Sequence, residues 1–156
     1  VVQADLRDLS PCGGPFDAVV NLWQSFGMFD DATNAAVLAG MAGRTRPGGR
    51  VVVDVYDLDR FTPATGVRTR SRPEGEVTET TEFADCRLRV RLAYSWSAAT
   101  DDLDWRLYRR SEFRELACAA GLSLVAVGED FDAPPRAGAG VPRVQYVMER
   151  TSRVAV

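Results

Sequence analysis

The fold is decided by two stretches, FDAVVNLWQSFGMFDD at residues 16–31 and RPGGRVVVDVYD at residues 46–57. Their pattern predicts a strand, a loop, a helix and a second strand, with a polar residue where each strand ends. Both strands are hydrophobic without alternation, as is typical of buried parallel strands. Ligands of open α/β sheets bind at the carboxyl ends of such strands. The sequence therefore predicts an α/β protein with a binding site at these two strand ends.

The segments around this unit extend it in both directions. Residues 1–4 form a short apolar run that predicts the end of an earlier strand. Asp30 or Asp31 is a good N-cap for a helix that runs to about Arg44, and the Pro-Gly-Gly turn at 47–49 is expected to stop it.

A second, antiparallel piece interrupts the α/β pattern. It is predicted as an irregular segment at 57–73, strands at 75–83 and 86–97, and a third strand at 103–109. A tight turn at Ala84-Asp85 would place Glu82 opposite Arg87.

The pattern then returns to α/β. Ser111 is expected to cap a helix that ends near Ala120, before the glycine at 121. Two strands follow at 122–129 and 143–150, and hairpin pairing would make one of them antiparallel to the main sheet.

Composition narrows the classes of function. The 156 residues are 46% hydrophobic and 26% charged, which fits a single globular domain, and the net charge of −3 gives no general attraction to nucleic acid. No apolar run approaches the roughly 20 residues that span a bilayer. The three cysteines show no CxxC spacing and are odd in number, which favours a reducing, cytoplasmic setting.

All 19 basic residues are arginine, because lysine and histidine never occur. A histidine base, a lysine Schiff base and a histidine metal ligand are therefore excluded within this chain. Proton chemistry falls to Asp, Glu, Tyr, Cys or the substrate, and no metal site is predicted.

Taken together, these pieces resemble the C-terminal two-thirds of a class I S-adenosylmethionine-dependent methyltransferase, especially the small-molecule type that methylates amines and aminosugars. The matching pieces are ADLRDL at 4–9, the two stretches quoted first, the antiparallel insertion, and YRRSEFRELACAAGL at 108–122. The resemblance implies a partial Rossmann-like sheet with an inserted antiparallel sheet and a C-terminal antiparallel hairpin. It implies one domain over 1–150, with 57–109 as the insertion and 151–156 as a tail.

The resemblance also implies the cofactor, S-adenosylmethionine, and residues that would bind it. Asp5 would accept a hydrogen bond from the adenine amino group, and Leu6 would offer its backbone N–H to the ring. Asn21, Leu22 and Trp23 would face the methionine part of the cofactor. A structural interpretation competes with each assignment: Asp5 as a turn cap, and Trp23 as an ordinary core aromatic.

One element of the family pattern does not occur in this sequence. The first strand with its GxGxG loop, which holds the ribose and the methionine carboxylate, is absent. We expect the chain to be a fragment of a longer protein and to bind the cofactor weakly or not at all. A micromolar affinity for S-adenosylhomocysteine would contradict that expectation.

Methyl transfer from a sulfonium is an in-line displacement, so the protein mainly supplies alignment and a dry pocket. Tyr56, Asp57 and Tyr108 are the candidate catalytic residues, as bases or hydrogen-bond positioners. Tyr108 is equally compatible with a supporting rim aromatic. The residues expected to contact a small-molecule acceptor are Phe26, Trp105 and Arg106, although Phe26 also fits a core position.

Two runs of alternating arginines stand out, at 68–72 and at 87–91. They could recognise an acidic substrate. The simpler interpretation is a solvated sheet face on which they pair with Glu76, Glu79 and Glu82.

The sequence thus predicts a truncated small-molecule methyltransferase domain, with N- and O-methylation both open, and no nucleic-acid or membrane partner. The alternative is a non-catalytic methyltransferase-like module for binding or dimerisation, which would form a stable homodimer. A nicotinamide-dependent oxidoreductase lacks both the fingerprint loop and a Tyr-xxx-Lys pair.

Overall fold

Two separate four-stranded sheets and two α-helices make up the part of the chain that the computed structural model describes, residues 1–129, 131 and 142–152. The elements in chain order are β1 (Phe16–Asn21), α1 (Asp31–Arg44), β2 (Thr45–Tyr56), β3 (Gly66–Arg72), β4 (Gly75–Ala84), β5 (Arg87–Tyr94), β6 (Ser97–Arg106), α2 (Arg110–Ala119), β7 (Leu122–Glu129) and β8 (Arg143–Arg150). None of the described helices is long and apolar enough to cross a membrane.

The first sheet has the order β1-β2-β8-β7. Strands β1 and β2 are parallel, whereas β8 is antiparallel to both of its neighbours. This confirms the predicted parallel pair and the C-terminal hairpin. The mixed α/β architecture confirms the predicted fold class.

Both helices pack on the same face of this sheet. Alternate residues of β2 and β8 point toward them and are at most 3% exposed. These residues, with Phe113 of α2 and Leu38 and Met41 of α1, form one hydrophobic core: Val51, Val53, Val55, Val144, Tyr146 and Met148. At about 25 cal/mol per Å² of buried apolar surface, this core is the main source of stability.

The opposite face of the first sheet carries no helix among the described residues. Val20 of β1 is 59% exposed there, and Val52 and Val147 are half-buried. The expectation of a fully buried β1 is therefore wrong, because β1 is the edge strand of the sheet and only one of its faces is covered.

The N-terminal strand predicted at residues 1–4 is also wrong. These residues are exposed and outside any strand, and no described strand pairs with them or with the free edge of β1. Leu6 and Leu9 pack against the core instead.

Helix α1 follows the prediction, with the Asp30 side chain accepting from the Thr33 N–H at 2.8 Å. The Pro-Gly-Gly turn does not end it. The helix stops at Arg44 and β2 begins at once, with the Thr45 hydroxyl donating to the Met41 carbonyl at 2.9 Å. Residues 46–49 form an irregular start of β2, where Gly49 lies so close to the Asp17 carbonyl that a Cβ would be 2.8 Å from it.

The second sheet has the order β3-β4-β5-β6 and is antiparallel throughout. Part of the segment predicted as irregular is strand β3, which is exposed at every residue and therefore lacks a burial pattern. Strand β6 begins at Ser97, six residues before the predicted third strand, and a turn at residues 95–96 separates it from β5.

The turn between β4 and β5 lies one residue later than predicted, at Asp85 and Cys86. Their φ angles are +52° and +57°, as a two-residue hairpin loop with the right-handed strand twist requires. Glu82 therefore pairs with Arg89 rather than with Arg87.

The arginines of β5 form ion pairs, but not with the predicted glutamates. Arg87 and Arg91 pair with Asp104 and Asp102 of β6 at 2.8 and 2.6 Å. Arg70 of β3 does lie 3.8 Å from Glu79.

Helix α2 begins at Arg110 rather than after Ser111. Two carboxylates satisfy its first backbone donors: Glu112 accepts from the Arg109 N–H at 2.7 Å, and Asp59, from the loop after β2, accepts from the Arg110 N–H at 2.9 Å. The loop after β2 is thereby fastened to the start of α2. Of the predicted tail at 151–156, residues 151 and 152 are described, and the Thr151 N–H donates to the Gly121 carbonyl at 3.1 Å; residues 153–156 lie outside the described part of the chain.

Candidate active site

Polar and aromatic side chains converge where β1 and β2 end. The parallel pairing brings Asn21, the last residue of β1, opposite Val53 of β2. The turn at residues 22–29 then crosses the carboxyl end of the sheet toward α1. It is held against β6 at Gly27, whose carbonyl accepts from the Arg106 N–H at 2.7 Å and where a Cβ would lie 2.5 Å from the Arg106 carbonyl.

Asp54 is the centre of this edge. Its side chain is fully buried on the helix-free face, and its carboxylate accepts from four N–H groups. The Trp23 backbone N–H donates at 2.8 Å, Gln145 Nε2 at 2.7 Å and Arg143 Nε at 3.0 Å; Arg143 Nη2 donates as well. The carboxylate thus joins the turn after β1 to β2 and β8.

Two residues of the turn that Asp54 holds have an unusual backbone. Trp23 and Gln24 both have φ of +59°, in the left-handed region that non-glycine residues seldom adopt. The Gln24 N–H donates to the Asp54 carbonyl at 3.3 Å, and its side-chain oxygen accepts from the Tyr56 N–H. Such outliers concentrate at functional sites.

Aromatic rings surround the Arg143 guanidinium. Its central carbon lies 5.4 Å from the Trp23 ring centre and 5.2 Å from that of Tyr56. Phe131 lies 5.7 Å from Trp23, and Phe61 lies 5.1 Å from Tyr56. The Trp23 residue is nevertheless 74% exposed, so this aromatic group is open to solvent at the carboxyl edge.

Asp57 lies on the opposite, helix-covered face. It is fully buried, and its carboxylate accepts from Arg110 Nε at 3.1 Å and from Arg110 Nη2. Arg110 also lies 2.7 Å from Glu129, which pairs with Arg60 at 2.6 Å. The hydrogen bond to Asp57 raises the pKa of Arg110, so this guanidinium stays charged. Both hydrogen bonds from Arg110 attach the Asp57 carboxylate to the start of α2, away from the open edge at Trp23.

Phe26 and Tyr108 lie in the core. Phe26 is 1% exposed, and its ring lies 5.8 Å from Tyr108 and 5.7 Å from Phe113. Burial raises the pKa of Tyr108 to about 12, so its hydroxyl is a weaker acid than that of a solvent-exposed tyrosine. This placement favours the supporting role that the sequence left open for both residues.

Arg106, at the end of β6, is also enclosed. Its guanidinium lies 2.8 Å from Glu112 and 3.3 Å from Asp31, and 4.7 Å above the Tyr108 ring. Trp105 is half-buried in β6 opposite Leu88. Arg106 therefore links β6 to both helices.

The remaining predicted cofactor residues lie in two places, at the end of β1 and in the N-terminal segment. Asn21 is 7% exposed, its side-chain oxygen is buried without a hydrogen-bond partner in the described part of the chain, and Leu22 beside it is 37% exposed. Asp5 lies in the N-terminal segment, where its carboxylate accepts from the Arg7 N–H at 2.8 Å and from the Arg7 side chain. That hydrogen bonding lowers the pKa of Asp5 to about 2.

Sequence reasoning missed Arg143, Gln24 and the Asp54 cluster. The pairing of β8 with β2 contains part of the information that locates them. Once β8 pairs antiparallel with β2, Arg143 and Gln145 fall opposite Tyr56 and Asp54. The register that gives these pairs cannot be read from single strands.

Comparisons with known proteins identify the fold that these two sheets and two helices form. No protein-family profile and no curated protein matches the sequence. Solved structures do match. An S-adenosylmethionine-dependent methyltransferase from Clostridium acetobutylicum superposes with a TM-score of 0.79 at 11% identity, over 97% of this chain and 64% of the other.

Two further structures agree. The CcbJ methyltransferase from Streptomyces caelestis gives a TM-score of 0.77 at 16% identity, over 97% of this chain and 63% of the other. CalS10, an amino pentose methyltransferase from Micromonospora echinaspora, gives 0.64 at 21% identity, over 95% and 63%. The chain has the fold of these enzymes and spans about 64% of the length of the first of them.

Proposed function

We propose that this chain forms part of an S-adenosylmethionine-dependent methyltransferase that N- or O-methylates a small molecule. The observation that carries the proposal is the carboxyl edge of β1 and β2. It combines a buried, unpartnered Asn21 oxygen with an exposed Trp23 held in a left-handed turn. The likeness in fold to methyltransferases supports this assignment.

The residues present at this edge fit a sulfonium cofactor. The Asn21 side-chain oxygen lacks a donor but is itself buried, so it would accept from the ammonium group of a methionine moiety only after the side chain turns outward. The exposed indole face of Trp23 attracts cations. Asn21, Leu22 and Trp23 would hold this moiety, and Asp5 and Leu6 the adenine. When bound, S-adenosylmethionine supplies a methyl group on a positively charged sulfur.

The chain's own residues then position the acceptor and exclude water. Tyr56 lies beside Arg143 on the same face as Trp23, and its hydroxyl is the candidate for orienting the acceptor nucleophile. Arg110 and Asp57 fix the loop that carries Phe61 next to Tyr56. Arg106 supports the turn at Gly27 that borders the site, and Trp105 precedes it in β6.

Ultraviolet cross-linking with methyl-tritiated S-adenosylmethionine tests the proposal and detects weak binding. We expect label on the tryptic peptide 8–44, which carries Asn21 and Trp23, and loss of that label with excess S-adenosylhomocysteine but not with ATP. The peptide 71–87, which lies in the second sheet and carries no residue assigned to the site, serves as the internal control. Equal labelling of both peptides, or label that S-adenosylhomocysteine does not displace, would contradict the proposal.

A second candidate function is a non-catalytic dimerisation module. The free edge and the helix-free face at β1 favour it, because Val20 is 59% and Phe16 40% exposed. This candidate predicts a stable dimer in light scattering that Val20→Arg dissociates. Val67→Arg, on the equally exposed edge strand β3, is the matched control and should leave the dimer intact. A monomer at all concentrations would exclude this candidate.

A further inference from the structure

The turn after β1 has a backbone that its own residues do not favour. Trp23 and Gln24 are consecutive, neither is glycine, and both have φ of +59°. Side chains with a Cβ resist this conformation, so surrounding contacts must hold the turn.

Those contacts come mainly from Asp54. Its carboxylate accepts from the Trp23 N–H at 2.8 Å, and its backbone carbonyl accepts from the Gln24 N–H at 3.3 Å. One residue of β2 therefore binds both left-handed residues.

Contacts from β8 hold the Asp54 side chain in place. It is fully buried, and Arg143 and Gln145 hold its carboxylate from β8. The Arg143 side chain is only 13% exposed, so a rotation of Asp54 would leave a largely buried guanidinium without this partner.

We propose that Asp54 is a positioning residue for the cofactor site: its carboxylate locks the Trp23 turn in the left-handed form and so presents the indole at the carboxyl edge. The indole remains 74% exposed because the turn directs it away from the core. The link to cofactor binding rests on the proposed function, whereas the locking of the turn does not.

Hydrogen exchange at the Trp23 backbone amide measures the lock directly. Asp54→Asn keeps the size of the side chain but replaces one carboxylate oxygen by an NH₂ group, which must face donors in either orientation. We expect exchange of the Trp23 amide to accelerate at least about tenfold.

Asp57→Asn is the matched control, because Asp57 is equally buried and equally paired with an arginine but does not touch the turn. It should leave the Trp23 amide unchanged. Unchanged exchange in Asp54→Asn, or equal acceleration in both variants, would overturn the proposal.

A double-mutant cycle keeps the proposal testable where Asp54→Asn unfolds too much of the chain. Trp23→Gly accepts a positive φ without strain, so the urea midpoint should shift less on Asp54→Asn in that background, while the shift for Asp57→Asn stays the same. Equal shifts for Asp54→Asn in both backgrounds would contradict the lock.

S-adenosylhomocysteine affinity separates this proposal from the proposed function. Weaker binding in Asp54→Asn than in Asp57→Asn supports both. A Trp23 amide that loosens in Asp54→Asn while the S-adenosylhomocysteine affinity stays that of the wild type supports the lock and contradicts its role in cofactor binding.

Discussion

Asp54 and Asp57 are three residues apart at the end of β2, and both are fully buried, yet they serve opposite faces of the sheet. Asp54 anchors the exposed aromatic group through Arg143. Asp57 anchors α2 through Arg110 on the core side. Each buried carboxylate has an arginine partner, because an unpaired charge at either position would cost several kcal/mol.

Replacing Arg110 by methionine tests how much the buried Asp57 carboxylate depends on its arginine partner. Asp57 would lose its only cationic partner among the described residues, and Glu129 would keep Arg60. We expect the free energy of unfolding to fall by about 3 kcal/mol, at the lower end for a broken buried pair because the Arg110 side chain is 36% exposed.

Arg91→Met is the control for Arg110→Met in urea unfolding. Arg91 pairs with Asp102 at 2.6 Å, but both side chains are more than half exposed. Such surface pairs contribute about 0.2–1 kcal/mol. A loss in Arg110→Met as small as that in the control would show that Asp57 is solvated.

At the scale of elements, local signals predicted most of the first sheet. Hydrophobic periodicity, the Asp30 cap and the glycine after α2 were sufficient for α1, β7 and β8. Strand β3 escaped because all of its residues are exposed. The turn between β4 and β5 was predicted one residue too early, because Cys86 is not one of the residues (Gly, Asn and Asp) that usually adopt a positive φ in such turns.

The site was predicted only as far as strand ends reveal it. Residues 21–23 and 56 follow directly from where β1 and β2 stop. Arg143 and Gln24 depend on tertiary register and on a strained turn, which no local pattern encodes. The burial of Phe26 and Tyr108 depends on how both helices pack on the sheet.

For the whole molecule, the two faces of the first sheet differ in a way that bears on function. One face is covered by α1 and α2. The other face exposes Val20, and at its carboxyl edge Trp23 lies beside Arg143. Arg106 connects the second sheet to α2 and to the turn at Gly27. We therefore expect ligand contacts at the carboxyl edge, where Trp23 is exposed.

The most direct test of this account follows the indole N–H resonances of Trp23, Trp96 and Trp105 during titration with S-adenosylhomocysteine, each assigned by its Trp→Phe variant. The account predicts that the Trp23 resonance moves with added ligand while that of Trp96, in the turn at the far end of the second sheet, stays in place. A Trp23 resonance that does not move at millimolar ligand, or a shift confined to Trp96, would contradict the assignment of this edge as the methyl-donor site.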